Sequence, residues 1–418
     1  MSLWPIPERT LRRWPALRHA ETRWLLVVVL LAVIIGVAAR CFYLSYPDRA
    51  VFDEVYFPVF AQKYIQGTDV FDVHPPFGKL LIALGELGLG NTQLGWRIMP
   101  LLAGLALIGA AARLWLRHSK DRFGALLLAA FVAMDGAFIA YSRVGLMDGL
   151  LVLFMVLTLL VLAEHRKGKS LLLVGLLLGL TVAIKWVGLA VLAPLLYLAW
   201  RKRVLKELGW ACLVAALLYV AVVAFGEWRD GSTNLAASVL EWHRQAIGYH
   251  LRLVDTHPWS SAWWQWPFQV RPVLFIYDSS PDGSVQLMTS LGNPLLWWAS
   301  TAAAVWSFGY LLWLRIRRTA VADHPLLLPL IGWAAAYLPW ALVHRVVFQY
   351  HYMPAYLFAL MMLAYWGGRA WRETPWLVVG GLAIALLVSL YFMPWAVGWW
   401  PLSPDSITQH LWLRHWLY

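Results

Sequence analysis

The sequence predicts an all-α polytopic membrane protein: a single membrane domain over residues 1–418, with about eleven transmembrane helices and two long non-cytoplasmic loops. Three observations predict it. The chain is 61% hydrophobic and only 13% charged, about half the charged share of an ordinary soluble domain. Apolar runs of bilayer-crossing length recur from end to end. Charge is sorted as well, because the net +12 comes from basic residues gathered in alternate turns. In a soluble protein that excess would point to nucleic acid, but membrane orientation accounts for it here and no nucleic-acid partner is required.

Taken in order, spans are expected at 24–44, 96–116, 123–141, 146–163, 170–184, 186–200, 208–226, 291–314, 325–343, 348–367 and 375–396. The tail 1–23 carries Arg9, Arg12, Arg13, Arg18 and Arg23. The span after it exceeds a signal-peptide core and lacks a small-residue cleavage site, so it is expected to stay uncleaved. The even-numbered turns hold Arg113/Arg117/Lys120/Arg122, Arg166/Lys167/Lys169, Arg201/Lys202/Arg203/Lys206, Arg315/Arg317/Arg318 and Arg369/Arg372. With the tail they contain 21 of the 34 Lys and Arg but 7 of the 22 acids, which gives +14 on that face and −2 on the other. Positive residues stay inside, so the first face is cytoplasmic and the C-terminal tail 397–418 is external.

The segments 45–95 and 227–290 are too long to be turns, and their Trp and Tyr content suits re-entrant or interfacial helices. The pieces 170–184 and 186–200 sit at the lower length limit for crossing. They stand either as two spans or as one re-entrant hairpin with Lys185 at its tip. Cys41 and Cys212 lie in apolar runs and read as packing residues rather than a disulfide or metal pair. There is no internal repeat of the kind that inverted-repeat transporters show.

On this topology the ionisable residues collect at the outer leaflet. Asp53 and Glu54 follow the first span, and Arg97, Asp135, Arg143, Asp148 and Lys185 fall at outer helix ends. His344, Arg345, Tyr350 and His351 crowd a late outer turn. Arg and Lys in a poorly solvated groove hold a phosphate diester through charge-assisted hydrogen bonds. A carboxylate beside them can take the proton of an incoming hydroxyl, and the cations stabilise charge building on the departing phosphate. That is sugar transfer from a lipid phosphate without a nucleotide: there is no P-loop or dinucleotide fingerprint, and His and Cys lack zinc-ligand spacing. Some roles stay open. His74 either serves the site or braces the Pro75-Pro76 turn. Asp135 and Asp148 either touch substrate or pair with Arg143 as helix-packing acids. His243 and His250 read as ordinary interfacial histidines.

Six pieces of sequence carry a resemblance. They are Phe52-Asp53-Glu54, Phe71-Asp72-Val73-His74-Pro75-Pro76-Phe77-Gly78-Lys79, Tyr141-Ser142-Arg143-Val144-Gly145-Leu146-Met147-Asp148 and Ile184-Lys185-Trp186-Val187-Gly188. The loop run His257-Pro258-Trp259-Ser260-Ser261 through Arg271-Pro272 and the late Phe348-Gln349-Tyr350-His351-Tyr352-Met353-Pro354 complete the set. In this order they resemble the protein O-mannosyltransferase family, membrane glycosyltransferases of the GT-C class. The resemblance implies the GT-C fold, a polyprenyl- or dolichyl-phosphate mannose donor, and transfer to Ser or Thr hydroxyls of secreted or membrane proteins on the outer face. It makes Asp53 the base and Glu54 its acidic neighbour in acceptor or sugar binding. Arg97, Arg143 and Lys185 become donor-phosphate residues, His74, Arg271, Tyr350 and His351 join the donor site, and Asp135 and Asp148 are supporting acids. It implies no cofactor beyond the lipid-linked donor and leaves a divalent metal open. The β-trefoil insertion of eukaryotic members is missing, so the chain looks bacterial and is expected in the plasma (inner) membrane, among membrane lipids and near the secretion translocon. Two rivals stand: a GT-C enzyme moving another lipid-linked sugar, such as aminoarabinose, onto lipid A or an envelope glycan, and a lipid or sugar transporter, which would want polar residues in both membrane halves.

Overall fold

The computed structural model describes residues 15–165, 169–229 and 231–417. Arg9, Arg12 and Arg13 of the basic tail, and Arg166 and Lys167, lie outside the described residues. The chain begins with α1 (Pro15–Cys41), followed by two short helices in the first long loop, α2 (Phe57–Gln66) and α3 (Phe77–Leu89). Next come α4 (Gln93–Ser119), α5 (Arg122–Met134), α6 (Gly136–Tyr141), α7 (Asp148–Glu164), α8 (Lys169–Ile184), α9 (Leu192–Lys202) and α10 (Leu205–Arg229). The second long loop carries α11 (Leu235–Arg252) and the strands β1 (Leu274–Ser279) and β2 (Val285–Thr289). The chain closes with α12 (Pro294–Ile316), α13 (Leu327–Tyr337), α14 (Met353–Glu373), α15 (Pro375–Val397) and α16 (Pro404–His410).

Each expected span meets a helical stretch, and five helices are long and apolar enough to cross a bilayer: Ala20–Cys41 within α1, α4, α10, α12 and α15. The others are shorter or broken. The stretch expected as one helix over 123–141 divides at Asp135 into α5 and α6. The run expected at 186–200 opens with a 3-10 turn, Trp186–Val191. The run at 325–343 closes with another, Leu338–Leu342, and α14 is entered through a third, Gln349–Tyr352. Three of these irregular turns lie against the cavity described below, as expected where non-helical backbone in a membrane protein lines a site. One hairpin departs from an all-helical chain. β1 and β2 pair antiparallel, Tyr277 opposite Leu287, around a turn in which Gly283 takes φ 81°. Aromatic and aliphatic residues on both sides of that turn favour strands.

The core is built from helices that are apolar on every side. Most of α5 and the first turns of α14 are buried, the pattern of a helix enclosed by others. Elsewhere backbones approach closely. A Cβ at Gly175 would meet the Ala211 carbonyl at 2.6 Å, and one at Gly179 the Ala215 carbonyl at 2.7 Å. This four-residue spacing of small residues is a packing seam between α8 and α10.

Three buried arginines gather at the C-terminal end of α1. A helix leaves its last four carbonyls without partners, and cations suit that end. Arg40 donates to Val132 O (2.8 Å) and Ala133 O (2.5 Å), in the last turn of α5, and to Ser142 Oγ (3.2 Å). Arg143 donates to the carbonyls of Ala39, Arg40, Phe42 and Tyr43, where α1 ends. Arg97 takes the carbonyls of Leu44, Ser45, Pro47 and Arg49, just beyond. Cys41 is exposed rather than packed inside, and both cysteines are free.

Candidate active site

The segment after α1 is fixed by one buried ion pair. Glu54 accepts from Arg97 Nε and Nη2, both at 2.8 Å, from Gly145 N at 2.5 Å and from Val51 N at 3.1 Å. Both side chains are fully buried. Four hydrogen bonds use up the Glu54 carboxylate, and this pair ties the first loop to α4 and to the turn before α7. Phe52, at φ 50°, is held among the rings of His257, Phe275, Phe348 and Tyr350, at 5.6–6.4 Å between centroids. Residues other than Gly seldom adopt a positive φ, so the aromatic cage sets the turn that presents Asp53.

Among the described residues Asp53 itself has no side-chain hydrogen bond and no ion pair. Burial pushes its carboxyl up to about 6. The positive charge of Lys185 opposes this rise, while Asp148 and Asp72 add to it. An uncommitted carboxylate titrating just below neutrality is the state a general base needs.

The His-Pro-Pro loop closes on itself. Lys79, fully buried, pairs with Asp72 and donates to His74 O at 2.5 Å. Trp242 of α11 donates to Asp72 O at 3.0 Å, docking the second long loop on the first. His74 is thereby held beside His250, with ring centroids 5.9 Å apart. Burial drives His74 well below the usual imidazole value, and Lys185 and Lys79 push in the same direction, so it is neutral at pH 7.

These elements surround a cavity of about 770 Å³. Its polar end has His74, Asp148, Lys185, His250, Arg345, Tyr350 and His351; its apolar wall has Leu189, Ile247, Leu251, Val254, Pro339 and Leu342. Lys185 Nζ contacts both Asp148 oxygens, at 2.9 and 3.0 Å, and lies 5.3 Å from the Tyr350 ring centroid. His351 stacks on Tyr350 at 4.4 Å. Arg345 has a single hydrogen bond, 3.3 Å to Val346 O, and leaves most of its guanidinium free.

The structure therefore divides the sequence-predicted residues. His74, Asp148, Lys185, Tyr350 and His351 come together in the cavity lining, and Asp53, outside the lining, lies near enough for the charges of Lys185 and Asp148 to act on it. Arg97 and Arg143 do not line the cavity, and their Nη groups are spent on the protein, while Arg143 Nε is buried without a partner. Glu54 is likewise consumed. Asp135 is not paired with Arg143. It caps α6 at Ala137 N and Phe138 N and accepts from Asn293 N and Tyr356 Oη, both at 2.8 Å, joining α6, α12 and α14. Arg271 also lies apart from the lining, over the Trp259 ring at 6.0 Å.

Three polar cavity residues escaped the sequence reading of candidates: His344 and Arg345, seen as part of a polar turn without a role, and His250, set aside as interfacial. The spacing Trp242, Ala246, His250, which puts all three on one face of α11, was the signal available for His250, and the structure buries the first two. Among the described residues no group of three or more His, Cys, Asp or Glu is placed to hold a metal ion.

Family sequence models match almost the whole chain. The dolichyl-phosphate-mannose-protein mannosyltransferase model matches residues 30–93 and 85–227. The model of the C-terminal four-transmembrane region of protein O-mannosyltransferase matches 235–416. The chain belongs to the protein O-mannosyltransferase family. This makes it an integral membrane glycosyltransferase. It is 28% identical over 403 residues to the polyprenol-phosphate-mannose–protein mannosyltransferase of Corynebacterium glutamicum, covering 77% of this chain and 76% of that one. It is 25% identical over 460 residues to the Mycobacterium tuberculosis protein of the same name, covering 88% and 86%. The fold matches the S. cerevisiae protein O-mannosyltransferase Pmt1-Pmt2 complex bound to its sugar donor with TM-score 0.82, at 16% identity and over 94% of this chain and 93% of that one. ArnT from Cupriavidus metallidurans is more distant, at TM-score 0.57 and 13% identity, over 91% and 77%. The O-mannosyltransferase thus has the GT-C fold.

Proposed function

We propose that this O-mannosyltransferase transfers mannose from polyprenyl-phosphate mannose to Ser or Thr hydroxyls of secreted or membrane proteins, on the outer face of a bacterial plasma membrane. One observation supports it above the others: an unbonded Asp53 carboxylate beside the cationic end of a cavity whose remaining wall is apolar. Such a cavity suits a lipid phosphate. The isoprenoid lies along Leu189, Ile247, Leu251, Val254 and Leu342, and the phosphate meets Lys185 and Arg345. Asp148 holds Lys185 in place. The acceptor O–H gives its proton to Asp53 as its oxygen attacks the anomeric carbon. The bond from that carbon to the phosphate oxygen breaks, and its electron pair leaves with the phosphate, where the two cations stabilise it. A single displacement from the opposite face inverts the anomeric centre. An acceptor must reach Asp53 as an extended chain, which favours a substrate still unfolded as it leaves the secretion translocon.

The test is donor choice. Purified protein in vesicles, given an acceptor peptide, is expected to transfer mannose from radiolabelled polyprenyl-phosphate mannose. It should use neither a nucleotide-linked mannose nor an undecaprenyl-phosphate aminoarabinose. Transfer from the aminoarabinose lipid alone would move the chain to the rival GT-C reading.

A further inference from the structure

The described arginines at this end of the molecule differ in what they bond: Arg49 pairs with Asp278, and Arg345 makes one hydrogen bond, to Val346 O. Arg40, Arg97 and Arg143 each spend several donors on backbone carbonyls. Among the described residues Arg271 forms no hydrogen bond and no ion pair; its Nε, like that of Arg143, is buried without a partner, and its guanidinium lies over the Trp259 ring. A half-buried guanidinium with its donors unmade loses solvation and gains little in return, so it is poised for an acceptor group that approaches from outside. It does not line the lipid-phosphate cavity.

Its surroundings fix which side of Asp53 it serves. Trp259 N donates to His257 Nδ1 at 3.1 Å. The His257 ring meets Phe52 edge-on at 6.4 Å and Phe348 at 5.1 Å. β1 follows Arg271 closely and brings Phe275 to 5.6 Å from Phe52. A continuous shelf of Arg271, Trp259 and His257 thus reaches Phe52, the residue before Asp53. Tyr350 and Lys185 lie toward the cavity, so donor and shelf flank the same carboxylate.

We infer that this shelf is the acceptor subsite, where Arg271 binds the carboxylate of an acidic residue near the Ser or Thr that receives the sugar. The flat Trp259 face holds the guanidinium plane by cation–π contact and leaves its edge for a two-pronged bond to a carboxylate. The inference rests on the transfer reading above and adds a preference for acceptor sequence.

The experiment compares two acceptor peptides that differ only in Glu or Gln beside the serine, with polyprenyl-phosphate mannose as donor. Slow hydrolysis of the donor without peptide is measured in parallel. Wild type should show a KM for the Glu peptide roughly 10-fold to 100-fold lower, as one charge-assisted hydrogen-bonded contact implies. Arg271→Gln should erase that preference while donor KM and donor hydrolysis stay at wild-type values, and Arg271→Lys should restore part of it. Equal KM for the two peptides in wild type overturns the inference, as does an Arg271→Gln enzyme that keeps the preference. Loss of donor hydrolysis together with transfer in both variants also overturns it, because Arg271 would then serve the donor or the fold. A wild-type protein that transfers nothing from this donor would instead defeat the transfer reading itself.

Discussion

Two carboxylates adjacent in the chain end in opposite circumstances. Glu54 is saturated by Arg97, Gly145 N and Val51 N, whereas among the described residues the Asp53 side chain has no hydrogen-bonding partner. The acidic pair was legible in the sequence, but the division of labour was not, since it depends on the caged turn at Phe52 and on residues some forty and ninety positions away. The same holds for arginine. From the sequence Arg97 and Arg143 looked like phosphate ligands, because an arginine at an outer helix end has the right charge at the right depth. What Arg143 meets are the carbonyls where α1 ends, and what Arg97 meets are the carbonyls just beyond and the Glu54 carboxylate, a demand that arises only once the helix stops. A pH dependence follows from Asp53. The proposed role of base needs its ionised form, and burial pushes its carboxyl up to about 6, so kcat/KM should be flat above that value and fall toward tenfold per unit below it. A profile set only by a group near 4 would show that the carboxylate of the free enzyme is not the one raised by burial.

At the scale of elements, helices were easy to read and their interruptions were not. Long apolar runs identify a span, but periodicity carries no mark of a break such as Asp135, which depends on Asn293 and Tyr356 arriving from α12 and α14. The 3-10 turns at Trp186, Leu338 and Gln349 escaped for the same reason. They place Lys185, Arg345 and Tyr350 around one cavity while Arg143 remains on the end of α1. The consequence is a split between variants. Lys185→Ala and Arg345→Ala should each raise the donor KM, by a factor corresponding to about 1.5–3 kcal/mol for a charge-assisted bond. Arg143→Ala should lower the melting temperature of the detergent-solubilised protein, with donor KM nearly unchanged in whatever remains folded. Donor titration beside a thermal melt separates the two outcomes, and a raised donor KM with unchanged melting for Arg143→Ala would contradict this assignment.

For the whole molecule, orientation rests on the contrast of +14 against −2 between the two faces, which the fold accommodates without testing. Single cysteines near residue 50, in the 227–290 loop and in the 397–418 tail should react with a membrane-impermeant thiol reagent on intact cells. Those near Lys120, Lys202 and Arg317 should react only after lysis. Labelling of residue 50 only in lysed cells would put Asp53 in the compartment of nucleotide sugars and contradict an outer site.

The central claim is that Asp53 is the base, and the most direct measurement is the single-turnover rate of mannose transfer by Asp53→Asn at saturating donor. Raising a buried carboxyl penalises its ionised form. The cost to folding therefore appears as pH rises from the unfolded value near ~3.9 through about 6, and is fully present above that. Removing the charge should leave the variant at least as stable as wild type at neutral pH, so a slow rate cannot be ascribed to unfolding. The account predicts a loss of roughly 10²–10⁴ in rate with donor affinity retained. A folded Asp53→Asn protein that turns over within a few-fold of wild type would contradict it.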